Sequence, residues 1–206
     1  MLHIEAVEPG AFSILKQLME MTELKNFSLV GGTALSLYYG HRKSIDLDLF
    51  SYIPFENPVI IDTLEKKFRN AFVNRTSNPR FGIFGFVKDV KIDFVRHPLI
   101  RPELNIGDIR MFSIEDMIAM KVQAILGRGR RKNFWDIAEF LQHFSVADFI
   151  KFHNQKYASQ NLLITMPQAL AYFADAEESE DPISLKKQTW ETVKEFINGK
   201  VREYLE

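Results

Sequence analysis

The chain of 206 residues contains no cysteine. This excludes a disulfide framework and a thiolate metal site, and it is compatible with a reducing compartment. No apolar run is long enough to cross a membrane, and residues 1–30 lack the basic and apolar segments of a secretory signal. We therefore expect a cytoplasmic protein with no membrane contact.

A strong net charge is also missing. The 26 basic and 27 acidic residues give a formal net charge of −1, so any contact with nucleic acid must be local. The five histidines show no metal-binding spacing, and the sequence has neither a Gly-x-Ser-x-Gly turn nor a Walker A loop. Serine hydrolases and P-loop proteins therefore lack support. The hydrophobic fraction of 46% is that of a globular protein with a substantial core.

Two aspartates that alternate with aliphatic residues are the first informative feature that is present. Asp46 and Asp48 lie in the sequence Ser-Ile-Asp-Leu-Asp-Leu-Phe, which predicts a strand with both carboxylates on one face. Such a pair suits Mg²⁺ or Mn²⁺, which take oxygen ligands, and Mg²⁺ accompanies substrate phosphates. Acids also alternate with aliphatic residues on solvated edge strands, but like charges on one face destabilise a strand unless something neutralises them.

A glycine pair precedes these acids. Gly31 and Gly32 end a short apolar run, and Thr33 opens a predicted helix. Glycine permits close approach of the backbone to a ligand, and the unpaired N–H groups of a helix start can bind phosphate. A glycine pair is often only a turn. Together with the acids, it favours a nucleotide that is held at its phosphates and at its metal ion.

These motifs resemble motif I of the polymerase-β-like nucleotidyltransferases, a glycine-rich turn followed by Asp-x-Asp. The fuller string is similar to the AbiEii-type nucleotidyltransferases, which include toxins of type IV toxin–antitoxin systems, in the residues Gly31-Gly32-Thr33-Ala34-Leu35, His41-Arg42, Ser44, Asp46 and Asp48-Leu49-Phe50. The resemblance implies an α+β fold with a polymerase-β-like core, a mixed sheet flanked by helices, followed by a helical C-terminal lobe. It also implies an NTP substrate, an RNA acceptor such as a tRNA end, and an antitoxin encoded nearby.

A third carboxylate is expected on a later strand. Asp93 shares a predicted strand face with Lys91, and nucleotidyltransferases of this superfamily commonly carry an acid on such a strand, where it helps to activate the attacking hydroxyl. We expect Asp93 to lie beside Asp46 and Asp48 as a metal ligand. The alternative is an exposed strand acid or a partner of the neighbours of Lys91.

Two later segments resemble a lysine-bearing helix and an aspartate-bearing helix of the AbiEii-type family, joined by a basic turn. The resemblance implies that Lys121 neutralises the triphosphate and that Asp136 orients Lys121 or the arginines of the turn. Arg131 of the turn is a candidate for binding phosphate. The family often has an acid where this chain has Asn133. Judged alone, Lys121 and Asp136 are ordinary solvated or salt-bridging residues.

The residues together with the resemblance predict a metal-dependent nucleotidyltransferase that moves a nucleoside monophosphate from an NTP to an acceptor hydroxyl. The catalytic candidates are Asp46, Asp48, Asp93, Lys121 and Asp136, with the first three as metal ligands. The nucleotide-binding candidates are Gly31, Gly32, Thr33, Arg42, Ser44 and Arg131, and His41 is a further candidate for a phosphate contact. Two alternatives remain, a binding module that has lost its chemistry and an Asp-x-Asp glycosyltransferase. The Gly-Gly-Thr turn before the acids argues against the second.

Periodicity predicts a β-containing first half and a helical second half. Helices are expected over residues 11–24, 33–39 and 59–72, and strands up to 30 and over 45–50, 81–87 and 90–95. From residue 106 onward only helices are expected, three of them after residue 145, with a loop over 175–181. This suggests a nucleotidyltransferase core over 1–110 and a helical C-terminal lobe over 111–206, unless both form one continuous domain.

Overall fold

A mixed sheet of seven strands forms the centre of the computed structural model, which describes residues 1–206. The strands are β1 (Ser28–Val30), β2 (Leu47–Ser51), β3 (Phe72–Asn74), β4 (Ile83–Val87), β5 (Val90–Arg96), β6 (Leu104–Ile106) and β7 (Ile109–Met111). Their order across the sheet is β3-β4-β5-β2-β1-β7-β6. The pairs β2–β5 and β1–β7 are parallel and the others antiparallel.

Nine α-helices surround and extend this sheet. They are α1 (Pro9–Glu20), α2 (Gly31–Tyr39), α3 (Asn57–Phe68), α4 (Ile114–Arg128), α5 (Arg131–Phe140), α6 (Val146–Lys156), α7 (Met166–Leu170), α8 (Ala174–Glu177) and α9 (Trp190–Leu205). None of them combines the length and the apolar character that a membrane span needs. The fold is the α+β arrangement that the sequence predicts, a mixed sheet flanked by helices with further helices after it.

The centre of the sheet positions the acids. On β2 the alternation of aliphatic and polar residues buries Leu47 and Leu49 in the core and turns Asp48 to the opposite face. Strand β5 runs parallel to β2 with Asp93 in register with Asp48, and Val30 of β1 lies in register on the other side. Two carboxylates on adjacent strands therefore face the same side of the sheet.

The connection between β1 and β2 places a helix start beside these acids. Gly31 has a φ of +72°, a conformation that residues with a Cβ rarely adopt, and it turns the chain from β1 directly into α2. The helix ends at Gly40 in the left-handed conformation. Because β1 is antiparallel to β2, the first turn of α2 lies next to the beginning of β2.

The C-terminal half packs onto the same core. The buried hydrophobic residues of the whole chain form one continuous cluster that extends from α1 to α9. Its C-terminal part is centred on Trp135 of α5 and Trp190 of α9, whose rings stack with centroids 5.8 Å apart. Ser113 caps α4 by accepting a hydrogen bond from the backbone N–H of Asp116. The division at residue 110 stays a prediction.

Several elements differ from the sequence-based prediction. The strands predicted over 81–87 and 90–95 are confirmed as β4 and β5, which pair as a hairpin. By contrast, β6 was not predicted, and β7 lies where only helices were expected. The helix predicted over 59–72 ends at Phe68, and Phe72 begins β3. After residue 145 there are four helices, not three, and the short helix α8 lies partly within the predicted loop 175–181. Strands of three residues are too short to show a period of two.

Candidate active site

Asp48 and Asp93 form the centre of the site. They are partners on adjacent parallel strands, and Asp93 is only 9% exposed. Burial raises the pKa of Asp48, and the negative charge of Asp93 raises it further, whereas Lys121 and Lys91 lower it. The protein therefore holds two carboxylates side by side and places Asp48 where its negative charge is disfavoured.

The third predicted acid lies at the edge of this pair. Asp46 precedes β2 and is more exposed, and its Oδ2 lies 3.8 Å from Nζ of Lys132. Lys91 donates a hydrogen bond to Oδ2 of Asp93, so the partner of Asp93 is Lys91 itself and not a neighbour of Lys91. Side chains of His, Asp and Glu form no group of three or more arranged to hold a metal ion. The structure thus brings two of the three predicted metal ligands directly together.

The chemistry of the pair fits a divalent cation. Oδ1 of Asp93 is buried and has no hydrogen-bond partner, which is costly for a carboxylate oxygen. The adjacent carboxylate of Asp48 is disfavoured as an anion by burial and by Asp93. A hard cation with oxygen ligands would satisfy both groups.

The glycine pair lies against the acids and a buried arginine. A Cβ added to Gly31 would lie 2.5 Å from Oδ2 of Asp48, and one added to Gly32 would lie 2.4 Å from Nη2 of Arg42. Only glycine therefore allows the start of α2 to approach these side chains so closely. The first turn of α2 has no side-chain cap, so its N–H groups are free to bind an anion next to Asp48.

Thr33 and Ser44 organise the segment that leads to the acids. The hydroxyl of Thr33 donates to the backbone carbonyl of Asp46 and lies 2.9 Å from the hydroxyl of Ser44. Thr33 is almost fully buried, so its side chain is occupied with positioning the chain. Ser44 is more exposed and lines the cleft beside Asp46.

Asp136 lies beneath the site and holds three basic side chains. Its oxygens lie 2.7 Å from Nε2 of His41, 2.7 Å and 2.9 Å from two nitrogens of Arg42, and 2.7 Å from Nζ of Lys121. Burial alone would raise the pKa of Asp136, but Arg42 and Lys121 outweigh it and hold that pKa well below its usual value. The side chain of Asp136 is completely buried, so its contacts are with these basic side chains and not with the cleft.

These contacts revise two sequence-based interpretations. His41 is fully buried against Asp136, so the suggestion that it contacts a phosphate is wrong. Asp136 forms an ion pair with Lys121, and its arginine partner is Arg42 and not an arginine of the basic turn. That Asp136 orients Lys121 for catalysis stays a prediction. Asn133 lies in the first turn of α5 with a mostly buried side chain.

Two side chains of the basic turn, Arg131 and Lys132, contact different parts of the protein. Arg131 binds the acidic segment, with Nη1 2.8 Å from Asp181 and Nη2 3.3 Å from Glu177, and its guanidinium lies over the ring of Trp190. The structure therefore does not bring Arg131 together with the acids. Lys132 takes that place beside Asp46, and burial lowers its pKa.

A cleft of about 500 Å³ opens beside Asp46 and Ser44. Its basic wall includes Arg42, Arg130 and Lys132, and its opposite wall is the acidic segment 175–182. The sequence-based prediction missed Lys132 and Arg130 as site residues. Their signal was the basic turn itself, but nothing in a sequence shows which of its side chains turns toward the acids.

Comparisons with known proteins agree with this geometry. The model of the family described as nucleotidyl transferase AbiEii toxin, type IV toxin–antitoxin system, matches residues 13–203. An uncharacterised protein of Aquifex aeolicus is 32% identical over 200 residues, which cover 93% of this chain and 94% of that protein.

Two solved structures share the fold. MenT4, a nucleotidyltransferase toxin from Mycobacterium tuberculosis, is similar with a TM-score of 0.59 at 13% identity, over 95% of this chain and 86% of that chain. A Helicobacter pylori protein assigned to the nucleotidyltransferases is similar with a TM-score of 0.57 at 17% identity, over 97% of this chain and 99% of that chain. At these identities the similarity establishes the fold.

Proposed function

Because this chain belongs to the AbiEii family of nucleotidyltransferase toxins, we propose that it transfers a nucleoside monophosphate from an NTP to a hydroxyl of RNA. The observation that carries the proposal is the pair of carboxylates, Asp48 and Asp93, on adjacent strands beside the uncapped start of α2. Phosphoryl chemistry needs such an anion-binding helix start next to oxygen ligands for a cation.

The N–H groups of Gly31 and Gly32 receive the terminal phosphates of the NTP. Arg42 and Lys132 line the adjoining cleft and supply positive charge there, and Ser44 offers a hydroxyl. Asp136 fixes Arg42 by two hydrogen bonds, so this guanidinium is already oriented before the nucleotide binds. Arg131 supports the cleft indirectly, because it anchors the acidic wall.

Asp48 and Asp93, joined by Asp46, would hold Mg²⁺ or Mn²⁺, which neutralises the phosphates and favours the deprotonated acceptor hydroxyl when bound. Oδ1 of Asp93 has no partner and is available for this, while Lys91 donates to the other oxygen, Oδ2. The acceptor oxygen forms a bond to the α-phosphorus, the bond to the β-phosphate oxygen breaks, and pyrophosphate leaves. The hydroxyl proton passes to Asp93 and then to solvent. Lys121 offsets the charge that develops near Asp48.

The biological context follows from the family description. A type IV toxin–antitoxin system implies an antitoxin that opposes the enzyme and is encoded nearby. We propose that the toxic step is the modification of an RNA end, with tRNA as the first acceptor to test.

The experiment is transfer of radiolabel from each α-labelled ribonucleoside triphosphate, with Mg²⁺, into total RNA and into protein. The control is the double variant Asp46→Ala/Asp48→Ala. Label in RNA that depends on both acids would establish the acceptor class and the nucleotide. Label in protein would replace RNA as the acceptor. No label above the control with any nucleotide would contradict the transferase and favour the binding module.

A further inference from the structure

The sheet face that carries the acids continues onto β4 as an aromatic surface. Phe84 lies in register with Asp93, and Phe86 lies in register with Lys91. Register partners share a face, so both rings lie on the same side of the sheet as the carboxylates. Val73 of β3 is in register with Phe86 and extends the surface to the edge of the sheet.

This part of the face is open. Phe86 is 37% exposed and Val73 is 39% exposed, whereas the other face of β4 is buried in the core through Ile83 and Val87. The sequence therefore places two phenylalanines where a strand with one solvated face ordinarily carries polar residues. We define the aromatic platform as Phe84, Phe86 and Val73.

The position of the NTP determines whether the NTP or the acceptor lies on the side of the platform. In the proposed function the phosphates lie at the start of α2, on the β1 side of Asp48. The attacking oxygen and the leaving pyrophosphate are roughly in line through the α-phosphorus. The acceptor hydroxyl must then approach from the side opposite α2, which is the side of β5 and β4.

We propose that the aromatic platform binds the terminal base of the nucleic-acid acceptor by stacking, next to Asp93, with Lys91 close to the backbone phosphate of the same nucleotide. This rests on the proposed function and deepens it, because it assigns a base-recognition surface to the acceptor. A flat apolar surface beside a cation suits a planar base attached to a phosphate, and stacking tolerates any base. An acceptor hydroxyl on a protein side chain would leave the platform uncovered.

The test measures binding of a fluorescein-labelled RNA of about eight nucleotides by anisotropy, with and without the base of its 3′-terminal nucleotide. We expect removal of that base to weaken binding by the wild type about tenfold. Phe86→Leu should bind the intact RNA about tenfold more weakly and lose the discrimination. Phe86→Trp should restore both, because an indole also stacks. The matched control is Phe81→Leu, an exposed phenylalanine in the loop before β4.

Transfer kinetics separate this inference from the proposed function. Phe86→Leu should raise the KM for RNA about tenfold and leave the KM for the NTP unchanged. Suppose that the wild type transfers label to RNA, and that Phe86→Leu has the wild-type KM for RNA and the wild-type discrimination between RNA with and without its terminal base. This result would overturn the platform and leave the transferase intact. A wild type that neither binds the RNA nor labels it would overturn the platform together with the RNA acceptor.

Discussion

Asp48 is held in the folded protein against its own electrostatic preference. Burial and Asp93 raise its pKa, so the carboxylate costs nothing below its usual pKa near 3.8, where both states are protonated. The loss of folding stability caused by the charged Asp48 develops as the pH rises from 3.8 through the pKa of Asp48 in the folded protein, and it is complete above that pKa. Without divalent cations, Asp48→Asn should therefore stabilise the protein at pH 7 by roughly 0.5–1 kcal/mol, as removal of a like-charge pair does. Urea unfolding in EDTA measures this.

The same variant reports on the cation. Adding Mg²⁺ should raise the unfolding midpoint of the wild type and leave that of Asp48→Asn unchanged, because a ligand that binds only the folded state stabilises it. Asp108→Asn, an exposed loop acid, serves as the matched substitution and should respond like the wild type. Equal responses to Mg²⁺ in all three proteins would contradict Asp48 as a metal ligand.

Asp136 shows the opposite behaviour. Its pKa lies well below the usual value near 3.8, so its stabilising effect is present above pH 3.8 and is lost as the pH falls below it through the folded pKa. Asp136→Asn leaves Arg42 and Lys121 buried without their counter-charge and should cost about 3–5 kcal/mol at pH 7. The comparison is Asp62→Asn, which removes an exposed ion pair of similar length with Lys66 and should cost less than about 0.5 kcal/mol in the same urea titration. Similar losses for both would contradict the role of burial.

Sequence patterns are enough to predict which of these residues belong to the site, but they do not predict the partners of these residues. Asp46, Asp48 and Asp93 follow from alternation and from the family motif, since both depend on neighbours along the chain. Two of the three partners of Asp136, Arg42 and His41, are 94 and 95 residues away, so no local pattern identifies them. The partner of Asp46 is likewise decided by how α5 packs, which turns Lys132 and not Arg131 toward the acids.

At the scale of elements, the start of α2 depends on the absence of a side chain. Gly32→Ala would place its Cβ 2.4 Å from Arg42, which cannot move away because Asp136 holds it. We expect a loss of stability of about 1–3 kcal/mol, as for overpacking, and weaker NTP binding. Gly199→Ala makes the same change inside α9 with open space around it, and it should stabilise by about 0.5–1 kcal/mol. Thermal unfolding and nucleotide titration of both variants test this contrast, and a stabilised Gly32→Ala would contradict it.

The elements that the sequence failed to predict are those without a local signal. Strands β6 and β7 have three residues each, which is too few to show a period of two, and the sequence pattern predicts no strand at either place. Their existence depends on long-range pairing, since β7 lies parallel to β1 with Met111 opposite Leu29. By contrast, α2, β4 and β5 were predicted because glycines, a turn and longer alternating runs mark their ends.

At the scale of the whole molecule, the two halves share their most buried interactions. Strand β7 lies at the proposed boundary and pairs with β1, and Asp136 of the second half neutralises Arg42 of the first. The core is one cluster across both halves. We therefore expect residues 1–110 alone to remain unfolded, because they lose part of β7 and leave Arg42 without its counter-charge, Asp136.

The same coupling predicts a single unfolding transition for the full chain. Both tryptophans, Trp135 and Trp190, lie in the second half, so their fluorescence reports on that half, whereas far-ultraviolet circular dichroism reports on both. Urea curves from the two probes should coincide, as they do for one cooperative unit. Asp136→Asn should move both curves by the same amount, because the ion pairs of Asp136 join the halves. Two separate transitions, or a fluorescence curve that shifts alone, would show that the halves are independent domains.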